Sequence, residues 1–191
     1  MNLRLFIALD IPELIKREIG ELVNLLSKHD TDVKWIKPEN IHLTLKFLGS
    51  TPETLVAAIR ESLITVASPC EPFHLTVQNT GAFPGEKRPR VLWIGVVDSR
   101  PLKSLRDRIE RTLSQFGFQR DDKEFHPHLT LGRVRSQRGM IGLTNDLALH
   151  RAKNFGNFLV DEVVLMKSEL HPKGSEYTRL YRIPFGIRAA V

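Results

Sequence analysis

The segment His42-Leu43-Thr44-Leu45 occurs a second time in this chain, as His128-Leu129-Thr130-Leu131, 86 positions later. The residues ahead of each copy are also similar. Ile7-Ala8-Leu9-Asp10 and Gly95-Val96-Val97-Asp98, 88 positions apart, both precede a helical pattern. One match between apolar strands is common by chance, but a second His-Leu-Thr-Leu in register is not. The recurrence therefore indicates an internal duplication.

The elements around the two copies predict the same order of strands and helices in each half. In chain order we predict strands at 3–9, 33–36, 41–48, 73–77, 91–97 and 129–134, and helices at 12–26, 51–66 and 102–113. We expect Asp10 to cap the first helix and the Gly- and Pro-rich residues 81–89 to form a loop. The sequence thus predicts a single bilobal α+β domain over 1–191, with approximate repeats 1–88 and 89–191.

Length and composition are those of a globular protein with a substantial core. The chain has 191 residues, of which 41% are hydrophobic and 26% charged, and these values exclude a disordered or fibrous chain. Its only cysteine, Cys70, excludes an internal disulfide and favours a reducing compartment. The N-terminal apolar run is too short for a signal peptide or a membrane span. We expect a cytoplasmic protein with no membrane association.

The charge balance favours an anionic partner. Lys and Arg exceed Asp and Glu by six, and the sequence pI is about 9.7. Such an excess attracts nucleic acid or phosphorylated small molecules. The charges are scattered along the chain, so they indicate no particular binding surface by themselves.

The His-x-Thr pattern on a strand places two polar side chains on one face. Because side chains alternate, His42 and Thr44 point one way while Leu43 and Leu45 point to the other face. His128 and Thr130 repeat this arrangement. If the lobes are related by a pseudo-two-fold axis, the two imidazoles and two hydroxyls face each other across a cleft.

Such a site suits acid–base chemistry at a phosphodiester. A neutral imidazole accepts a proton from the nucleophile while a protonated one donates to the departing oxygen, and a histidine pKa near 6.5 makes both forms accessible. The threonine hydroxyls would donate to the non-bridging phosphate oxygens. This logic needs no metal or other cofactor. The residues alone do not say which histidine plays which part.

Two further histidine patterns give alternatives. His74-Leu75-Thr76-Val77 has the same form, but position 160 in the second half is a valine, so we interpret His74 as structural. His126 and His128, two positions apart, could bind zinc together with His42. No cysteine or carboxylate cluster completes that site, and Asp121, Asp122 and Glu124 are expected in a solvated loop.

At these residues the chain resembles the RNA 2′,3′-cyclic phosphodiesterases, also called 2′-5′ RNA ligases, of the two-histidine phosphoesterase superfamily. The resemblance rests on residues 35–49 (WIKPENIHLTLKFLG) and 126–133 (HPHLTLGR), and it extends to 81–84, 89–93 and 168–174 followed by Tyr177. It implies a bilobal α+β fold of antiparallel sheets with an active-site cleft between two pseudo-symmetric lobes.

The resemblance also implies an activity and residue roles. Such an enzyme opens an RNA 2′,3′-cyclic phosphate, or a nucleoside 2′,3′-cyclic phosphate, to a 2′-phosphomonoester without a metal. His42 would be the proton donor and His128 the proton acceptor, with Thr44 and Thr130 holding phosphate oxygens and Arg133 adding positive charge. The reverse reaction would join RNA ends through a 2′-5′ linkage without ATP.

The excess positive charge then has a role in binding RNA. We expect a set of cations to border the cleft, comprising Lys46, Lys87, Arg88, Arg90, Arg133 and Arg135. An aromatic such as Phe47 or Phe83 could stack under the terminal base, although we expect both to pack in the core. Since one chain carries both motifs, we predict a monomer. The competing hypothesis is an RNA- or phosphate-binding module without catalysis.

Overall fold

The computed structural model describes residues 1–97, 99–121, 123–171 and 174–186. Within these residues it contains nine strands, four α-helices and two short 3₁₀ turns at 38–40 and 53–55. The strands are β1 (Asn2–Asp10), β2 (Val33–Trp35), β3 (His42–Pro52), β4 (Phe73–Phe83), β5 (Val91–Val96), β6 (His128–Val134), β7 (Asn154–Val160), β8 (Glu162–His171) and β9 (Gly174–Pro184). The helices are α1 (Glu13–Leu26), α2 (Val56–Ala67), α3 (Arg100–Ser114) and α4 (Met140–Leu149).

The strands form one antiparallel sheet in the order β7-β4-β5-β6-β3-β1-β8-β9, and β2 pairs with the free part of β6. All four helices contribute buried residues to one large apolar core with one face of the sheet. A smaller apolar cluster, comprising Phe6, Ala8, Val164, Met166 and Tyr177, lies on the opposite face. The helices therefore cover one face and leave the other accessible. The predicted bilobal α+β fold is confirmed.

The two halves of the sheet meet where β3 and β6 pair through Leu43 and Leu129. In the sheet, β3 is followed on one side by β1, β8 and β9, and β6 is followed on the other side by β5, β4 and β7. Each side thus takes strands from both halves of the sequence, because β4 pairs with β5 whereas β8 pairs with β1. The repeat boundaries 1–88 and 89–191 stay a prediction.

Several sequence predictions differ from the structure in detail. The strand predicted at 73–77 extends to Phe83, so residues 81–83 belong to β4 rather than to a loop. Asp10 does not cap α1, because Pro12 occupies the cap position and the Asp10 carboxylate accepts from Lys16 instead. Asp98, Asp122, Pro172 and Lys173 lie outside the described residues.

A buried ion pair joins β3 to α3. The Nζ atom of Lys46 lies 2.5 Å from the Glu110 carboxylate and donates to the backbone carbonyl of Gln119. Both side chains are almost fully buried. The Arg106 guanidinium lies 3.9 Å from the other Glu110 oxygen. The prediction that Lys46 borders the cleft is therefore wrong, since its charge is compensated within the core.

Replacing Lys46 with methionine should destabilise the fold, because it leaves the Glu110 carboxylate buried with only the more distant Arg106 for charge compensation. We expect the free energy of unfolding to fall by about 3 kcal/mol, near the lower end for a broken buried pair. The double variant Lys46→Met/Glu110→Leu should recover part of that loss. Urea denaturation followed by circular dichroism measures both.

The matched control is Arg138→Met, which breaks an ion pair with Asp30 in which both side chains are largely exposed. That variant should unfold at nearly the wild-type urea concentration. A Lys46→Met protein as stable as this control would contradict the account of the buried pair.

Candidate active site

The two repeated motifs lie side by side on the central strands of the sheet. Leu43 pairs with Leu129 in antiparallel register. Extended by one residue on either side, that register places Thr130 across from His42 and Thr44 across from His128. The structure thus brings together all four predicted motif residues.

The side chains alternate as predicted. Leu43 and Leu129 are buried in the main core, and Leu45 and Leu131 are buried beside them. The four polar side chains of the motifs, His42, Thr44, His128 and Thr130, are partly exposed on the opposite face. We call this helix-free side of the sheet the site face.

Each histidine is fixed by a hydrogen bond of the same kind. The Nδ1 atom of His42 lies 2.7 Å from the backbone carbonyl of Asn40, and that of His128 lies 2.7 Å from the carbonyl of His126. Because a carbonyl only accepts, Nδ1 carries the proton in both rings. Nε2 of each ring is thereby left to bind or release a proton.

His42 is enclosed by aromatic rings. Its ring centroid lies 4.7 Å from that of Phe6 and 5.2 Å from that of Tyr177, which meets it edge to face. Burial lowers the pKa of His42 to about 4, although the bond to Asn40 and the negative charge of Asp10 oppose the shift. The imidazole is therefore neutral in the free protein near pH 7.

The charges that act on His128 are both positive. Burial is the main cause that lowers its pKa, and the positive charges of Arg133 and His126 lower it further. The Phe83 ring packs against it edge to face at 5.1 Å. The two histidines thus share their backbone anchor but differ in the charges that act on them.

A β-bulge turns Arg133 towards the site face. Relative to β5, strand β6 contains an extra residue at Leu131, so the alternation of side chains is reversed beyond it. Val134 accordingly packs against the core, and Arg133 is exposed on the same face as His128. Plain period-2 alternation from His128 would have placed Arg133 on the core side.

The equivalent bulge in β3 exposes Phe47. The extra residue relative to β1 is Leu45, and the next residues follow the same reversal. Phe47 is 64% exposed and its ring centroid lies 6.0 Å from that of Phe6 on the site face. The prediction that Phe47 packs in the core is wrong, because the bulge moves it to the opposite face.

An aromatic pair lines the site face beside β6. Phe83 and Trp93 pack at a centroid distance of 5.1 Å, and Phe83 is half-buried against Trp93. The prediction that Phe83 packs in the main core is wrong. The Trp93 ring lies over Gly81, where an added Cβ would come within 2.4 Å of it. Glycine at 81 thus makes room for Trp93.

Sequence reasoning missed several residues of the site. Tyr177 and Arg179 on β9 line a small pocket together with His42 and Asp10. The Asp10 carboxylate accepts from Lys16 and from Arg179, and this interaction keeps the pKa of Asp10 below its ordinary value despite burial. Because β9 reaches β3 only through β8 and β1, no local sequence pattern could have indicated this contact.

The remaining histidine hypotheses have different outcomes. His74 is exposed on β4, where it pairs with Leu159 of β7, two strands away from the motif on β6. The exposed His126 lies 3.7 Å from the Glu124 carboxylate. Among the described residues no group of three or more His, Cys, Asp or Glu side chains is arranged to hold a metal ion.

A helix-backed antiparallel sheet with paired His-x-Thr strands on its open face is the architecture of the two-histidine phosphoesterases. Comparison with known proteins agrees. A family model described as the 2′-5′ RNA ligase superfamily matches residues 12–172. The chain belongs to this superfamily.

Curated relatives cover nearly the whole chain. An RNA 2′,3′-cyclic phosphodiesterase of Archaeoglobus fulgidus is 36% identical over 178 residues, which are 93% of this chain and 98% of that protein. One of Methanothermobacter thermautotrophicus is 32% identical, with coverages of 93% and 96%.

Solved structures show the same fold. A protein of Thermus thermophilus superposes with a TM-score of 0.81 at 27% identity, covering 96% of this chain and 98% of that one. E. coli LigT in complex with 3′-AMP gives 0.73 at 27% identity, with coverages of 97% and 99%. Separately, none of the described helices has both the length and the apolar character of a membrane span.

NMR titration of the histidine side chains should show His42 titrating near pH 4, because protonation would bury a charge among Phe6 and Tyr177. In the unfolded chain a histidine titrates near 6.5, so the unfolded state binds this proton more readily than the folded protein does. The free energy of unfolding should therefore decrease as the pH falls from 6.5 to 4. The His42→Ala variant identifies the resonance. A midpoint at 6.5 or above would contradict the assigned environment.

Proposed function

We propose that this chain is a phosphodiesterase that hydrolyses the 2′,3′-cyclic phosphate at RNA ends to a 2′-phosphomonoester. The observation that carries the proposal is the matched pair of imidazoles beside two threonine hydroxyls. In each ring Nδ1 is bound to a backbone carbonyl, and Nε2 has no hydrogen-bond partner among the described residues. Relatives named RNA 2′,3′-cyclic phosphodiesterase support the substrate class. E. coli LigT, solved in complex with 3′-AMP, supports a nucleotide as ligand.

In the proposed reaction His128 accepts a proton from water as the water oxygen attacks phosphorus. The bond from phosphorus to the 3′-oxygen breaks, and His42 donates the proton that the leaving oxygen takes up. The products are a 2′-phosphate and a 3′-hydroxyl. Each proton transfer of this kind is worth about 10²- to 10⁴-fold in rate, and neither requires a metal or another cofactor.

One difference between the charges around the two rings agrees with this assignment of roles. Asp10 raises the pKa of His42 against the lowering effects of Lys16 and Arg179. Both charged neighbours of His128, Arg133 and His126, lower its pKa. The first effect favours the protonated donor and the second favours the neutral acceptor. Burial leaves His42 neutral in the free protein, so the anionic phosphate of the substrate would supply the charge that promotes its protonation.

The phosphate itself would be held by hydroxyls and a guanidinium. Thr44 and Thr130 lie across from the two histidines and would donate to the non-bridging oxygens, where negative charge accumulates. Arg133, turned to the site face by its bulge, would add a positive charge. Both motifs lie on one chain, so we propose that the monomer is active.

The family relation supports RNA ligation as well. Attack of a 5′-hydroxyl in place of water, with His128 again accepting the proton of the attacking oxygen and His42 again protonating the leaving 3′-oxygen, would form a 2′-5′ linkage without ATP. A module that binds RNA phosphates through the same residues without turnover is the alternative function.

We expect a cytoplasmic protein on the basis of its single cysteine, Cys70, which is buried and forms no disulfide.

Hydrolysis of an RNA oligonucleotide with a 2′,3′-cyclic phosphate end, in EDTA, tests the proposal. The wild type should release a 2′-phosphate, identified by phosphorus NMR. His42→Ala and His128→Ala should each lower kcat by about 10²- to 10⁴-fold. The control His74→Ala changes the same residue type on the outlying strand β4 and should retain activity.

Each other outcome has a definite meaning. Tight binding of the oligonucleotide without product would favour the binding module. Activity that is lost in EDTA and restored by zinc would favour the metal site at His126. A 3′-phosphate product would show that the opposite bond of the ring breaks.

Phe47 should support the terminal base. Its exposed ring lies on the site face 6.0 Å from that of Phe6, which in turn packs against His42. Stacking of a base on an aromatic ring is worth about 1–3 kcal/mol, so Phe47→Ala should raise KM roughly 5- to 150-fold with little change in kcat. Steady-state kinetics with adenosine 2′,3′-cyclic phosphate measures the effect. Ile141→Ala, which truncates an apolar side chain that is 81% exposed on α4, is the control and should leave KM unchanged.

A further inference from the structure

A second cation lies beside Arg133 on the site face. Strand β2 pairs with the end of β6, and in that register Lys34 is directly opposite Arg133. Val33 and Trp35, on either side of Lys34, both pack against the main core. Because strand side chains alternate, Lys34 points to the site face, as Arg133 does.

The two cations are neighbours without compensating carboxylates. Residues directly opposite in an antiparallel pair have Cα atoms about 4.5–5.5 Å apart, and like charges there are destabilising. Within the described residues neither Lys34 nor Arg133 forms an ion pair, and no side-chain hydrogen bond involves either of them. The fold therefore holds two adjacent positive charges that do not stabilise it.

The structure keeps Lys34 in this position through its neighbours. Strand β2 is only three residues long, and it approaches β6 closely at Gly132, where an added Cβ would come within 2.7 Å of Val33 and 3.1 Å of Trp35. The two apolar side chains fix the strand in the core. Lys34 is thus the one side chain that β2 presents to the cleft side.

The two ends of the site face differ in character. At the bulge position of β3 the exposed side chain is Phe47, which contacts Phe6, whereas at the equivalent position of β6 it is Arg133 beside Lys34. One end therefore suits a base and the other suits phosphates. Arg133 acts on His128. Lys34 lies opposite Arg133 on the same edge of β6 as β3, towards the end of β6 and away from the two motifs.

We propose that Lys34 binds a backbone phosphate of the RNA on the 5′ side of the cyclic end. This subsite makes the protein prefer an oligonucleotide to a mononucleotide. The inference rests on the proposed function, since it places the RNA chain relative to the reacting phosphate. Lys34 touches no reacting atom in this arrangement and serves substrate specificity.

Kinetics with two substrates tests the subsite. We would compare a hexanucleotide that ends in a 2′,3′-cyclic phosphate with a nucleoside 2′,3′-cyclic phosphate, which has no upstream phosphate. For single-stranded RNA one phosphate contact changes the slope of log K against log salt by about 0.7. Lys34→Gln should therefore lower kcat/KM for the hexanucleotide about fivefold at 0.1 M salt, and the ratio between the two substrates should fall with it.

Two further variants separate a specific role from a general one. Lys28→Gln makes the same change of charge at an exposed position near the end of α1 and should leave the ratio as in the wild type. Lys34→Arg should restore most of the preference. An equal loss for both substrates, or no loss for either, would overturn the proposal.

A binding measurement keeps the subsite testable apart from turnover. Fluorescence anisotropy of a labelled hexanucleotide that ends in a 2′-phosphate gives the salt dependence of its Kd. With Lys34→Gln the slope should be smaller by about 0.7, and an unchanged slope would refute the subsite. If the wild type cleaved neither substrate the proposed function would fail, while this slope would still decide the role of Lys34.

Discussion

The pairing of Leu43 with Leu129 is the contact on which the site depends. It joins two halves of the sheet that otherwise have their own strands and helices. Both leucines are buried in the main core, which fixes the direction in which the adjacent polar side chains point. A slip of one residue in either strand would turn a histidine and a threonine into the core, so hydrophobic burial sets the register of the two motifs.

The same local structure around a His-x-Thr motif occurs twice in the protein, in two different surroundings. Both motifs end in a bulge, and both histidines donate Nδ1–H to a carbonyl two residues earlier. The surroundings differ. Phe6 and Tyr177 enclose His42, and Asp10 is among the charges that act on it, whereas both charges that act on His128 are positive. The proposed acid and the proposed base need different environments, and their neighbours differ while the backbone anchor is the same.

Buried charge has a structural role distinct from binding. Lys46 follows the first motif in the chain and carries the charge expected of an RNA contact, yet it is bound to Glu110 in the core. Its counterpart in the second motif is Gly132, which allows β2 to approach. The same bulge position thus anchors α3 on one side and admits a short strand on the other.

The sequence by itself determined six of the nine described strands, three of the four described helices and the four motif residues, whereas α4 and the strands β7, β8 and β9 were not predicted. Period-2 alternation around His42 and His128, repeated 86 positions apart, is a local property that survives folding, so the strands and their polar face were predictable. The bulges were not, because an extra residue shows only against a partner strand. They moved Phe47 and Arg133 to the site face. Tertiary structure likewise decided the contacts of Tyr177, Arg179 and Lys34, since each depends on the pairing of strands that are distant in the chain, and no pattern within one segment specifies its neighbours.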